Sequence, residues 1–158
     1  MKTVWAVIAM GLVWAEASLA RPVPYLTEEQ LKSQSELIVI AVPKVVRDLH
    51  EMTTFPGIVQ ASTGEGDKTV RAVKMEADFE ILEVLKGAMP DSGKLTLDYL
   101  KEPESWNRAA PVINGPCLVS FDPTAKTAYR LCLKKGENGH YLPLTGQTDP
   151  EFSIKVWK

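Results

Sequence analysis

From Val73 to Ile81 every second residue is apolar: Val73, Met75, Ala77, Phe79 and Ile81. The residues between them, Lys74, Glu76, Asp78 and Glu80, are all charged. A period of two puts successive side chains on opposite faces of an extended chain, so this stretch is a strand with one buried and one solvated face. After Ile81 the phase flips, with Leu82 and Val84 apolar and Glu83 polar. A one-residue slip of phase inside a strand marks a β-bulge, which bends the strand. Long, bent strands are how small sheets close into barrels. Gly87 ends the element.

The rest of the chain supplies matching strands. Leu37 to Val42 is a continuous apolar run rich in β-branched residues, as in a strand covered on both faces. Pro43 interrupts its ladder, which suits an edge or a bulge, and Lys44 to Leu49 continues the strand. Lys94 to Leu100 alternates again. Cys117–Phe121, Tyr129–Lys134 and His140–Leu144 form a meander, with Asn138-Gly139 as a type I′ hairpin signal between the last two. His50–Lys68, punctuated by Pro56, Gly57, Gly64 and Gly66, reads as a long loop or a floppy hairpin tip, and Glu102–Gly115 as a second long loop. Thr27 and Gln30 match a capping box at the head of a short helix from Glu28 to Ser35. At the tail, Asp149-Pro150-Glu151 opens a helix well, so one or two helical turns are expected, although Phe152, Ile154 and Val156 alternate like a strand. The fold class is therefore mainly all-β: a small five- to six-stranded OB-like barrel with short flanking helices.

Residues 1–20 are expected to be a signal peptide. Lys2 precedes an apolar run, Val4 to Ala15, that is too short for a bilayer, which takes about 20 residues. Ser18 and Ala20 then offer the small residues of a cleavage site, with Ala15 and Ala17 as an earlier one. Residues 21–36 form a lead-in and the short helix, and residues 37–158 the barrel domain. The chain is expected to be extracytoplasmic, secreted or periplasmic, with no stable membrane insertion after signal removal. Its 18 basic and 20 acidic residues provide no positive field for nucleic acid.

Few motifs carry chemistry. If the Cys117 strand pairs with the Tyr129 strand around Pro123–Lys126, then Cys117 lies opposite Cys132, close enough for a disulfide; the alternative is two free, buried thiols acting as small hydrophobes. His50 and His140 lack a His-x-His or His-x₃-His spacing, so no metal site is expected. No nucleophile elbow or phosphate-cradling glycine loop is present, so no catalytic residue and no cofactor are assigned. Glu76, Asp78 and Glu80 share a strand face and read as a solvated exterior. Trp106, beside Arg108 in a polar loop, has the character of a binding anchor, as does Phe55.

Three segments resemble a family. Leu37-Ile-Val-Ile-Ala41, Ala77-Asp-Phe-Glu-Ile-Leu-Glu-Val-Leu-Lys-Gly87 and the strand from Gly115 to Phe121 are similar to small secreted bacterial proteins with a TIMP-like (netrin-module-like) OB barrel. The likeness covers most of Leu37 to Leu144 and implies a five-stranded barrel with flanking helices. Metalloprotease-inhibiting relatives use an N-terminal cysteine whose amino group and carbonyl reach zinc. The expected first residue here is Arg21, so no functional residue carries over. The function expected is an exported, non-enzymatic barrel binding a protein or glycan partner through one face and its loops, with Phe55, Tyr99, Trp106 and Arg108 as contacts. The alternative is an extracytoplasmic hydrolase using His50 or His140 with nearby carboxylates. A lipocalin-like carrier would need eight strands, more than the chain provides.

Overall fold

A computed structural model describes residues 26–60, 68–90, 93–101, 119–145 and 153–158, with the side chains of 55–60 and 68–70 outside the description. A short helix, α1 (Glu28–Gln34), precedes six strands: β1 (Leu37–Gln60), β2 (Lys68–Lys86), β3 (Leu95–Lys101), β4 (Tyr129–Lys135), β5 (Tyr141–Pro143) and β6 (Ile154–Val156). The strands run β1-β2-β3-β5-β4, and a β1–β4 pairing closes the ring into a five-stranded barrel, with β6 added on β4. The order, with β3 and β5 parallel and the other pairs antiparallel, is consistent with an OB-like barrel.

The bulge expected after Ile81 is present. Ala41 pairs with Ile81 and Ile40 with Glu83, which leaves Leu82 as the extra residue. Leu85 is a second one, since Val39 pairs with Val84 and Ile38 with Lys86. Both bulge leucines are exposed, while Val84 returns to the core. On β1, Pro43 pairs with Phe79 and Val45 with Asp78, so Lys44 is extruded beside the proline. Such bulges strengthen twist and curvature, which lets β1 pair with β2 along one edge and with β4 along the other over Leu37–Ala41.

The inward faces supply the core: Leu37, Val39 and Ala41 of β1, Met75, Ala77 and Phe79 of β2, Leu95 and Leu97 of β3, and Leu131 and Leu133 of β4. Phe121, in the segment before β4, fills the middle, with Phe79, Tyr99 and Tyr129 edge-on at ring-centroid distances of 5.0, 5.0 and 5.1 Å. Edge-to-face rings contribute beyond their area burial.

Of the long loop or hairpin tip expected over His50–Lys68, the structure shows hairpin arms, strand up to Gln60 and again from Lys68, which pair with each other beyond the barrel. Irregular register between Thr54 and Val59 accommodates Pro56 and Gly57. The tail is strand over Ile154–Val156 rather than helix, because it adds to β4 at Tyr129–Leu131. Among the described residues no disulfide is present, and Cys132 is a free, buried thiol. One edge of β4 is taken by β1 and the other by β6 and β5. Cys132 instead points outward between inward Leu131 and Leu133, packed with Ile38 under Leu31 of α1. Burial pushes its thiol up from the ordinary range. Cys117 lies outside the described residues.

Helix α1 carries the capping box read from the sequence: Gln30 N–H donates to Thr27 Oγ1 at 3.2 Å, and Thr27 N–H donates to Gln30 Oε1 at 2.9 Å. An ion cluster ties this helix to the barrel. Glu28 accepts both terminal nitrogens of Arg130, at 2.7 and 2.9 Å, and Lys155 Nζ at 2.8 Å. These hydrogen bonds, Arg130 first, hold the Glu28 carboxyl down at about 2 from an ordinary 4.5. A carboxyl depressed in the folded state contributes stability that is fully present above about 4.5 and is lost as pH falls toward 2. The cluster is half-exposed, so Glu28→Gln should cost on the order of 1 kcal/mol at neutral pH after screening. Urea unfolding across this pH range should show the difference from wild type shrinking to nothing at the acid end.

Candidate functional site

Two neighbouring features occupy the outer surface around β2 and β3. The first is a groove of about 400 Å³ at the base of the long β1–β2 arm. Leu49, Met75 and Leu100 give it an apolar lining. Glu51 and Lys74, joined by a 2.8 Å ion pair, form a charged rim, and this pairing lowers the Glu51 carboxyl and raises the Lys74 amine. The chain bends sharply there: His50 has φ 55, and its N–H donates to Asp48 Oδ1 at 2.7 Å, while the register slips between Asp48 and Met52. Beyond Ala41, β1 pairs with β2 alone among the described residues, so its second edge carries no strand.

The second feature is a charged cluster. Met75 and Ala77 face inward, so Glu76 between them faces out, as does Asp98 between Leu97 and Tyr99. The β2–β3 register sets Glu76 directly opposite Asp98. Like charges facing each other across a sheet repel, so a cation belongs between them. Arg47, opposite Glu76 on β1, pairs with Glu76 and with Asp78. Its guanidinium, assisted by a 2.9 Å hydrogen bond from Thr96, holds the Asp78 carboxyl below its usual range. His140 completes the cluster, with Nδ1 at 2.9 Å from Asp98 Oδ1 and 3.8 Å from Glu76 Oε2.

His140 is fixed from below by its turn. Asn138 and Gly139 both have positive φ, 54 and 79, as a type I′ turn requires. The His140 N–H donates to the Glu137 carbonyl at 2.9 Å, and its carbonyl accepts from Gly136 N–H at 2.8 Å. The parallel pairing of Leu97 with Tyr141 then brings the turn beside Asp98.

Of the contacts expected from sequence, Tyr99 is a core residue, 3% exposed, whose hydroxyl burial pushes up to about 12. It faces inward with Met75 and forms part of the groove's inner wall. Phe55 lies on the β1 arm beyond the described side chains, and Trp106 and Arg108 lie outside the described residues. His50 is a solvated histidine, with its side chain 88% exposed, whereas His140 is only 30% exposed. Glu76 and Asp78, read as a solvated face, are paired and half-buried; Glu80, exposed and paired with Lys44, fits that reading. The Asn138-Gly139 signal places His140 at a hairpin, but which strand lies beside it is set by a distant pairing.

Among the described residues no helix is long and apolar enough to cross a membrane. Compared with protein-family models, with curated proteins and with solved structures, the chain matches none.

Proposed function

We propose that this chain is an exported, non-enzymatic barrel module that binds a partner protein at the groove beneath the β1–β2 arm. The observation that carries this reading is the combination of that groove with the β1 edge above it, which carries no strand among the described residues. A long strand edge left open is a template for an added strand, and proteins normally cover or use it. Exposed Leu49 and Met52 sit on the same stretch and supply apolar pockets between the backbone contacts. A glycan partner is less favoured, because sugars stack on exposed aromatic faces and the aromatic ring at this groove, Tyr99, is buried.

The mature chain, residues 21–158, used as bait in envelope extract and medium, should capture a protein. Leu49→Asp with Met52→Asp should weaken that capture about tenfold, equivalent to about 1.4 kcal/mol of lost apolar contact. Both positions are exposed, so the variant should fold. Capture unchanged by the double variant, or binding seen only on a glycan array, overturns the reading. The second reading, an extracytoplasmic hydrolase, draws on the approach of His140 to Asp98. It would be favoured by turnover of ester, peptide or glycoside substrates that His140→Ala abolishes.

A further inference from the structure

We infer that Glu76, Asp98 and His140 form a binding site for a divalent transition-metal ion of the zinc type. The three side chains come from β2, β3 and the β4–β5 turn, and one ligand atom from each lies within 4.8 Å of the others. Ligands around a tetrahedral zinc stand about 2.0–2.2 Å from the ion, so their mutual separations fall in the range this cluster already shows. Bringing Glu76 Oε2 from 3.8 Å and Asp98 Oδ1 from 2.9 Å around His140 Nδ1 onto one ion needs only side-chain adjustment.

The surroundings favour an ion over a simple histidine bridge. Arg47 serves Glu76 through its other oxygen, Oε1, and Asp78 through Oδ2, which leaves Glu76 Oε2 turned toward His140. Such an outer partner orients a ligating carboxylate. Beyond the Arg47 pairing of Glu76, a dication between Glu76 and Asp98 compensates two carboxylates held in direct register. One nitrogen with two carboxylate oxygens selects zinc-like metals, since Ca²⁺ takes six to eight oxygen ligands and Mg²⁺ a near-octahedral oxygen set. Three protein ligands leave the fourth position of zinc for water or for an outside donor. Asp98 also lines the groove, so that donor could be an oxygen of whatever the groove holds.

The test uses untagged mature protein, stripped with chelator and titrated with ZnCl2 by calorimetry, with elemental analysis after gel filtration. One Zn²⁺ per chain is expected. His140→Ala and Asp98→Asn should each weaken binding by more than the roughly 10–100-fold typical of losing an outer partner. His50→Ala should change nothing, and Co²⁺ should give visible ligand-field absorption that His140→Ala removes. Thermal melts of the stripped variants confirm that they fold, and Asp98→Asn keeps size and hydrogen bonding should His140→Ala not. Absence of retained zinc, zinc binding that survives both substitutions, or Ca²⁺ or Mg²⁺ binding in preference to zinc overturns the inference. None of these outcomes depends on a partner protein, so the site and the groove reading fail separately.

Discussion

Phe121→Ala should remove about 3–5 kcal/mol of folding stability, the range for deleting a buried aromatic side chain. The residue is 5% exposed and is flanked by three rings, Phe79, Tyr99 and Tyr129, each contributed by a different strand. A barrel interior has few ways to collapse around a lost ring, because the walls are fixed by closed hydrogen-bond ladders. The deletion therefore leaves a cavity as well as losing burial. Domains of this size have about 5–15 kcal/mol in total, so the variant should be near unfolding at physiological temperature. Urea unfolding followed by circular dichroism measures the loss. Phe121→Leu, which keeps most of the volume, should retain most of the stability. A loss below about 1 kcal/mol for Phe121→Ala would mean the ring is not a central packing element.

Gly87→Ala should be the most damaging glycine-to-alanine change among the described residues. Gly87 has φ +88, and a Cβ there would meet the Glu36 carbonyl oxygen at 2.4 Å and Leu37 Cα at 3.3 Å. The left-handed conformation alone costs a residue with a Cβ about 1–2 kcal/mol. The contact adds to that, because both neighbours are backbone atoms of the junction between α1 and β1. That junction is held on every side: Ser35 Oγ donates to the Leu31 carbonyl at 2.6 Å, Glu36 N–H to the Leu133 carbonyl at 2.9 Å, and Lys86 Nζ to the carbonyls of Lys32 and Ser33 at 2.6 and 2.9 Å. Gly93→Ala is the control, since Gly93 has φ +65 with nothing within 4 Å of an added Cβ. Thermal and urea unfolding should show Gly87→Ala losing clearly more than Gly93→Ala. Equal losses would mean that only the dihedral matters and the close approach to Glu36 does not.

Local patterns read well because they depend on neighbours in sequence. The alternation over 73–81 and the slip after Ile81 follow from side-chain direction along one strand, and both reappear as the inward Met75, Ala77 and Phe79 and the bulged Leu82. The capping box at Thr27 and the positive φ at Asn138 and Gly139 are likewise satisfied within a few residues. The disulfide expectation failed on a different kind of information. It assumed that β4 had an edge to offer the Cys117 strand, whereas β1, β5 and β6 arrive from elsewhere in the chain to occupy both edges. Over His50–Lys68 the local signal left loop and hairpin tip open: Gly and Pro weaken a strand locally, and pairing with a facing arm decides for the hairpin.

The Glu76–Asp98–His140 cluster shows the division most clearly. Residue type, strand membership and outward direction of the two carboxylates are all in the one-dimensional pattern, and His140 is beside a recognisable turn. Their approach to within hydrogen-bonding distance depends on the β2–β3 register and on the parallel contact of Leu97 with Tyr141. By itself the sequence determined that the chain makes bent, one-face-buried strands of a small barrel, since periodicity is a property of consecutive residues. The tertiary structure alone decided which strands are neighbours, and hence which charges meet and that Cys132 is buried under α1. Register between distant segments is chosen by burying all the inward faces at once, and no single segment contains that information.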